Sequence, residues 1–297
     1  MLVKTKILMG TFATLMLQER DRASFKPIYQ LLYTLDNSLS SYKPTAPIYR
    51  LNHDRKASIN RYTYQALLLA KRYYKESDGY FNIAIGGITR GLFHFGENET
   101  IPLTSQLQQE NISLSKLYFN ETSASLKDDI KIDLGGFGKG FAVDVVAKYM
   151  REHNLSNARV ALSGDIRCMG ICKIEVNNPD AKNALASFFT KEKDMGITTS
   201  GIYNRFVKTV EHNHLINPKT KESEKNFISI TLISKLPSSD LDAYATAVSV
   251  MPKKMTYKFL EQFNLAYIIL DAQKKLHISS NINEYVTNLF LCDTPKK

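Results

Sequence analysis

Helical and strand-like patterns are interleaved along this chain without the strict β-α-β alternation of a parallel sheet. That arrangement points to an α+β architecture: a single large mixed α/β domain spanning 1–297, with mostly antiparallel sheets and flanking helices. Two further observations agree. No Pro-, Gly- or Ser-rich stretch is long enough to divide the 297 residues into two domains, and no internal repeat is visible. Apolar residues make up 43% and charged residues 23%, the ordinary proportions of a chain that buries one core.

The elements follow in order. Residues 4–17 alternate as a strand, and residues 24–39 carry Ile28, Leu31, Leu32, Leu35 and Leu39 at helical spacing. SSYKPTAPIYRLN breaks at two prolines and reads as a loop. Residues 60–77 form a second helix, with Ala66, Leu67, Leu69, Ala70 and Tyr73 available for burial, stopped by SDGYFN. Residues 82–110 are glycine-rich, then polar, without a strong period. ISLSKLYFN and SASLKDDIKIDL read as a hairpin, and 139–153 as a helix with Phe141, Val145, Val146 and Tyr149 on one side. From 158 to 234 short strands dominate: ARVALSG, IRCMGICKIEV, ASFFT, DMGITTS, YNRFVKT and FISITLIS. Residues 239–251 are helical, and a further helix follows Pro252 to about 263. AYIIL and KLHIS are short strands ahead of a tail read as another short helix.

The net charge of +10 suits an anionic partner such as a nucleotide, a nucleic acid or an acidic membrane surface. The lysines are scattered, however, and no basic block is interleaved with aromatics, so no nucleic-acid partner is expected. No stretch reaches the ~18 consecutive apolar residues of a transmembrane segment. The start, MLVKTKILMGTFATLML, lacks the signal-peptide order of charge, apolar run and cleavage site. The expectation is a cytoplasmic chain, the alternative being the mature or trimmed form of a periplasmic or membrane-anchored protein. Cys168, Cys172 and Cys292 are too few and odd in number for a disulfide framework. With no second pair and no nearby His, Cys168 and Cys172 do not suggest zinc and read as small buried apolar side chains.

Three stretches carry chemistry. KIDLGGFGKGFAVD, 131–144, is neither of the two nucleotide-binding glycine motifs with known mechanics. It does share their arrangement: a strand ends, glycines let backbone approach a ligand, and a helix N-terminus offers free N–H groups to an anion. On spacing alone a tight structural corner and a ligand loop fit equally, and Asp133 and Asp144 fit a cap and a solvated helix residue. In SDLDAYAT, Asp242 and Thr246 stand four apart, so a helix puts both oxygens on one face. They suit a hard cation, but the spacing alone favours a helix-dipole acid beside a buried threonine. His214 precedes an apolar pair and Asn217-Pro218, with Ser200, Gly201, Tyr203 and Arg205 a short hairpin away, which suits a polar site or a structural histidine.

The order of these pieces is more informative than any one of them. MGTFATL at 9–15, LSSYKPTAPIYRLN at 39–52, DGYFNIAIGG at 78–87, KIDLGGFGKGFAVD at 131–144, ALSGDI at 161–166, TTSGIYNRF at 198–206, HLINPKT at 214–220 and DLDAYATAV at 240–248 occur in one fixed succession. That succession resembles the ApbE family, the flavin transferases or FAD:protein FMN transferases, over nearly the whole chain. The resemblance implies FAD as substrate, Mg²⁺ as cofactor, and a partner flavoprotein, such as a subunit of a redox complex, that accepts FMN on a threonine or serine. It places the metal on Asp242, Thr246 and the carbonyl of Gly136. It places FAD against Met9, Tyr42, Tyr80, Phe81, Asn82, Asp133, Lys139, His214 and Ile228. His214 and Asp242 are the candidate bases for the acceptor hydroxyl, His214 being preferred because an acid that ligates a metal is a poor base.

The chain departs from the family pattern at three places. Asn82 and Asn217 stand where the family has Asp, and Ser163-Gly164-Asp165 replaces Gly-Gly-Asp. The departures leave two alternatives beside transfer: hydrolysis of FAD to FMN and AMP, or FAD binding without catalysis.

Overall fold

The computed structural model describes residues 1–179, 181 and 183–291, so Cys292 lies outside the described residues. In chain order the elements are β1 (Leu2–Leu8), β2 (Thr11–Leu17), α1 (Phe25–Leu39), α2 (Pro47–Asp54), β3 (Lys56–Ser58), α3 (Arg61–Glu76), α4 (Thr104–Gln109), β4 (Leu117–Phe119), β5 (Ser123–Leu126), α5 (Gly138–Glu152), β6 (Arg159–Leu162), β7 (Asp165–Cys168) and β8 (Lys173–Asn177). They continue with β9 (Ala184–Thr190), β10 (Met195–Gly201), β11 (Ile216–Asn217), β12 (Glu222–Ser223), β13 (Phe227–Ser234), α6 (Ser238–Val250), α7 (Lys253–Gln262), β14 (Ala266–Asp271), β15 (Leu276–Ile278), α8 (Ile282–Tyr285) and β16 (Val286–Leu291).

An eight-stranded antiparallel sheet, β1-β2-β6-β7-β10-β13-β14-β15, forms the spine. Side chains alternate across it, as pleated strands require. Ile230 and Leu232 of β13 enter the large core under α1, α3, α5 and α6, while Ile233 enters a second core under the three-stranded sheet β16-β9-β8. A third small sheet, β3-β5-β4, packs beside α2.

Several elements differ from the sequence reading, each for a local reason. Residues 4–17 are two strands, because Met9 and Gly10 both take left-handed φ, 53° and 69°, and close a two-residue hairpin turn. The second proline of the 39–52 loop, Pro47, starts α2, where a missing N–H costs nothing. YNRFVKT is a short 3₁₀ turn and coil, with Phe206 bridging Asn213. The tail adds β16 to the edge of β9 after its short helix. Cys168 and Cys172 are bonded to each other, contrary to the sequence reading: the turn after β7 folds back and sets their Cα atoms 6.1 Å apart. A count of cysteines speaks to a framework of bridges and is silent about one local loop.

Where α5 and α6 cross, each helix caps the other. Asp144 of α5 accepts from Ser238 N and Ser239 N, at 2.6 and 2.8 Å, and from Ser239 Oγ at 2.6 Å. Asp242 of α6 accepts from Gly140 N at 2.9 Å. Both carboxylates satisfy first-turn N–H groups that the N-cap residues, Phe137 and Pro237, do not cap with their side chains. Asp144 is thus a cap for its neighbour and not a solvated side chain.

The crossing needs glycine at 140. A Cβ there would stand 2.3 Å from Ser238 O and 2.7 Å from Asp242 Cβ. Gly140→Ala, which in a free helix would gain about 1 kcal/mol, should instead lower stability by about 1–3 kcal/mol through forced separation of the helices. Urea midpoints compared at equal slope will check this, and an unchanged or raised midpoint would contradict the close packing.

Candidate active site

The strip 131–138 is fastened to 83–86. Asp133 N donates to Ile83 O at 2.8 Å, Gly86 N donates to Lys131 O at 3.0 Å, and Ile85 and Lys131 form an isolated parallel bridge. Asp133 then orders the turn: its Oδ1 accepts from Gly135 N at 2.9 Å and its Oδ2 from Thr89 Oγ1 at 2.6 Å, with Arg90 Nε at 3.6 Å. Leu134 O accepts from Phe137 N and Gly138 N and starts α5.

The glycines of this turn are not there for backbone rotation, since only Gly10, Gly79 and Gly96 of the described glycines have positive φ. They are there for proximity. A Cβ on Gly136 would lie 3.1 Å from Thr246 Cγ2 and 3.3 Å from Phe81 Cε2. With no side chain between them, Gly136 O accepts from Thr246 Oγ1 at 2.9 Å. One turn up the same face of α6 stands Asp242.

Lys139 occupies the space between two acids. Its Nζ is 2.9 Å from Asp165 Oδ2 and 3.3 and 3.4 Å from the Asp242 oxygens. Burial disfavours its ammonium, but Asp165 and Asp242 outweigh burial and raise its pKa. Burial, then the charge of Asp165, push the Asp242 carboxyl well above the usual carboxylate range despite Lys139. Asp165 Oδ1 is buried without a hydrogen-bond partner. Around Lys139, two carboxylates therefore face one ammonium.

These residues fit a small hard cation. Carboxylate, hydroxyl and carbonyl oxygens are the donors Mg²⁺ prefers, and octahedral bonds of about 2.0–2.1 Å set neighbouring ligands about 2.9 Å apart. Thr246 Oγ1 and Gly136 O have that separation, 2.9 Å. Among the described residues no cluster of three or more His, Cys, Asp or Glu side chains could hold a metal.

His214 lies in the same cavity, with Nδ1 3.0 Å from Arg205 O. A carbonyl only accepts, so Nδ1 carries the hydrogen and Nε2 keeps its lone pair. Burial, aided by the nearby Arg205 and Lys139 charges, lowers the His214 pKa to about 4. The ring is therefore neutral near pH 7.

The cavity measures about 340 Å³, and a neighbouring hollow of about 590 Å³ shares Met9, Tyr42, Arg90, Asp133, Lys139 and Arg205 with it. Together they suit a cofactor-sized ligand. Met9, Tyr42, Tyr80, Phe81 and Asn82 line the cavity together with Asp133, Gly136, Lys139, His214, Asp242 and Thr246. Ile228 is not among its lining residues: it sits at the bulge between β13 and β14 and packs against the second core.

Two lining residues escaped the sequence reading. Thr89 and Arg90 lie in the stretch without a period, on a single turn of π-helix, Gly87–Leu92. The Arg90 guanidinium stacks over the Tyr42 ring, 3.3 Å from its centroid, and donates to Ser41 Oγ at 2.8 Å. Arg205 donates to Tyr42 Oη at 2.9 Å and to Phe95 O. Asp165 was visible in SGD, but nothing in the spacing paired it with Lys139.

The departures from the family pattern have local explanations. Asn82 Oδ1 accepts from Ala84 N and its Nδ2 donates to Ile112 O, both at 2.9 Å. Asn217 Oδ1 accepts from Lys219 N at 2.9 Å and its Nδ2 donates to Glu224 Oε2 at 3.3 Å. Both amides donate as well as accept, which a carboxylate cannot do. Ser163 adopts φ 54° in the β6–β7 turn, a conformation glycine would take more easily.

The chain is similar to known proteins over most of its length. The model of the ApbE family matches residues 9–269. The FAD:protein FMN transferase of Klebsiella pneumoniae is 23% identical over 81% of this chain and 79% of its own length. That of Chlamydia muridarum is 26% identical over 86% of this chain and 83% of its own. Among solved structures, the ApbE protein of Thermotoga maritima superposes with a TM-score of 0.85 at 21% identity, covering 97% of this chain and 99% of that one. The flavin transferase ApbE of Vibrio cholerae gives 0.81 at 20%, covering 96% and 98%.

The neutral His214 has a measurable consequence. An unfolded histidine titrates near 6.5, so between about 6.5 and about 4 the unfolded chain binds a proton that the folded chain refuses. Stability should fall as pH drops through that window. In His214→Gln the fall should be shallower, read as urea midpoints from pH 7 to pH 4. An equally steep fall in the variant would mean that other groups cause it.

Proposed function

The chain belongs to the ApbE family, and from that premise we propose that it is a FAD:protein FMN transferase. It moves the FMN half of FAD, with Mg²⁺, onto a threonine or serine of a target flavoprotein and releases AMP. The names of its relatives support flavin transfer. The observation that carries the reading for this chain is one cavity holding the Asp242, Thr246 and Gly136 oxygens, the Lys139 ammonium and a neutral His214.

Each residue has a role in that reaction. Asp242, Thr246 and the Gly136 carbonyl would hold Mg²⁺, which when bound supplies Lewis-acid neutralisation of the diphosphate. Lys139, Arg90 and Arg205 offset phosphate charge inside the cavity. Tyr42, Tyr80, Phe81 and Met9 offer ring and thioether surface to the flat parts of FAD. The acceptor hydroxyl oxygen forms a bond to the phosphorus on the FMN side. The bond from that phosphorus to the bridging oxygen breaks, and AMP leaves with the electron pair. His214 Nε2 takes the hydroxyl proton, with Nδ1 anchored on Arg205 O so that the ring stays in the required tautomer.

Among the described residues no helix is long and apolar enough to cross a membrane. The Cys168–Cys172 bond supports the periplasmic or membrane-anchored alternative over the cytoplasmic one, because disulfides persist in oxidising compartments.

The protein incubated with FAD, Mg²⁺ and an acceptor flavoprotein domain should add one FMN to that domain, read by mass spectrometry. Free FMN and AMP without labelling would favour hydrolysis, and intact bound FAD would favour a carrier. Two variants assign the roles. Asp242→Asn should lose labelling and its dependence on Mg²⁺. His214→Asn should keep FAD affinity while labelling slows by about 10²–10⁴-fold; unchanged turnover would remove His214 from the mechanism.

A further inference from the structure

The transferase reading leaves one requirement unmet by the cavity itself. A threonine side chain is short, so the acceptor backbone must pass across the mouth. The structure contains a path for it. From the cavity a groove leads over the Ser163–Gly164 turn, sharing Ser163, Gly164, Thr199 and Asn204 with the cavity wall. This first part encloses about 270 Å³ and is continuous, through Ile166, Ile174 and Glu175, with a second hollow of about 400 Å³.

One wall of the groove is β8. Four consecutive residues, Ile174 to Asn177, line it. Successive strand residues point to opposite faces, so four in a row can border one groove only along the edge of the strand. Among the described residues β8 pairs with β9 alone, which leaves the N–H and C=O groups of its other edge open. The Asn177 end of β8 lies by the cavity mouth, with Ser163 and Asn204, and the Lys173 end lies at the far hollow, with Thr14 and Arg159. Arg159 Nε is buried there without a partner.

The floor is the outer face of the main sheet, where the small sheet does not reach. It carries Ala161 and Ile166, and beyond them the 65% exposed Phe12 and the 75% exposed Ile7, paired across the hairpin whose Met9-Gly10 turn rims the cavity.

We infer that this groove is the docking site for the acceptor segment of the target flavoprotein. The segment binds extended, adds as a strand to the open edge of β8, and turns its threonine over Ser163–Gly164 into the cavity. The five residues of β8 match a segment of about 15 Å. Ile7 and Phe12 receive the body of the domain that bears it. The inference rests on the transferase reading, and it adds a surface that reading does not require to be here.

The experiment uses an acceptor flavoprotein domain with its threonine, assayed with the full chain, FAD and Mg²⁺. Glu175→Arg alters an exposed residue of the open edge, and Ala161→Trp fills the floor. Each should raise KM for the acceptor domain by about tenfold, while FAD affinity and melting temperature stay at wild-type values. Hydrogen exchange at 173–177 should slow when a Thr→Ala acceptor domain and FAD are added. Wild-type labelling matched by both variants, with no protection at β8, overturns the groove and leaves the transferase reading standing. A wild-type chain that binds FAD and labels no acceptor overturns that reading, and the groove falls with it.

Discussion

The reciprocal capping of α5 and α6 is the constraint on which the site depends. Each helix ends its partner's unpaired N–H groups with a carboxylate, Asp144 in one direction and Asp242 in the other. The arrangement closes only because residue 140 has no side chain. It fixes the rotation of α6 relative to the glycine turn, and that rotation brings Thr246 Oγ1 to Gly136 O. The residue that caps α5 is thus also the carboxylate best placed for a cation. Packing and chemistry share one side chain, so few substitutions at Asp242 could alter the second without disturbing the first.

Around that crossing the cavity sorts charge by element. The acids come from the helix α6, the start of β7 and, as Asp133, the strip before α5, and the cations from the first turn of α5, the π-turn and the loop after β10. Burial strengthens every one of these interactions and makes an unpaired charge costly. His214 escapes the conflict by being neutral, its lone pair directed by a single hydrogen bond to Arg205 O. The same burial that leaves the Nε2 lone pair free also makes the ring a weaker base.

Much of this was legible in the chain. The helices α1, α3, α5 and α7 follow from apolar spacing, because each presents one stripe to a core, whereas α6 is buried at every position but Thr246. Of the site residues that the ordered succession of motifs implied, all but Ile228 line the cavity. What escaped has physical causes. Periodicity cannot register a two-residue turn such as Met9-Gly10, nor a proline that begins a helix instead of breaking one. It carries no signal for the π-turn that delivers Thr89 and Arg90. Pairings between distant residues, such as Lys139 with Asp165 or Asp144 with Ser239, are set by tertiary packing and leave no mark in local spacing. The Asn82 and Asn217 substitutions looked like losses of charge and proved to be two-way hydrogen-bonding turns.

Lys139 sits where two carboxylates would otherwise repel each other. The chain therefore brings its own counter-ion to the pocket. Small zinc domains have no such resident charge and stay unfolded until an ion arrives. Here the ammonium of Lys139 already balances the facing carboxylates, so closing the helix crossing asks nothing of an incoming ion.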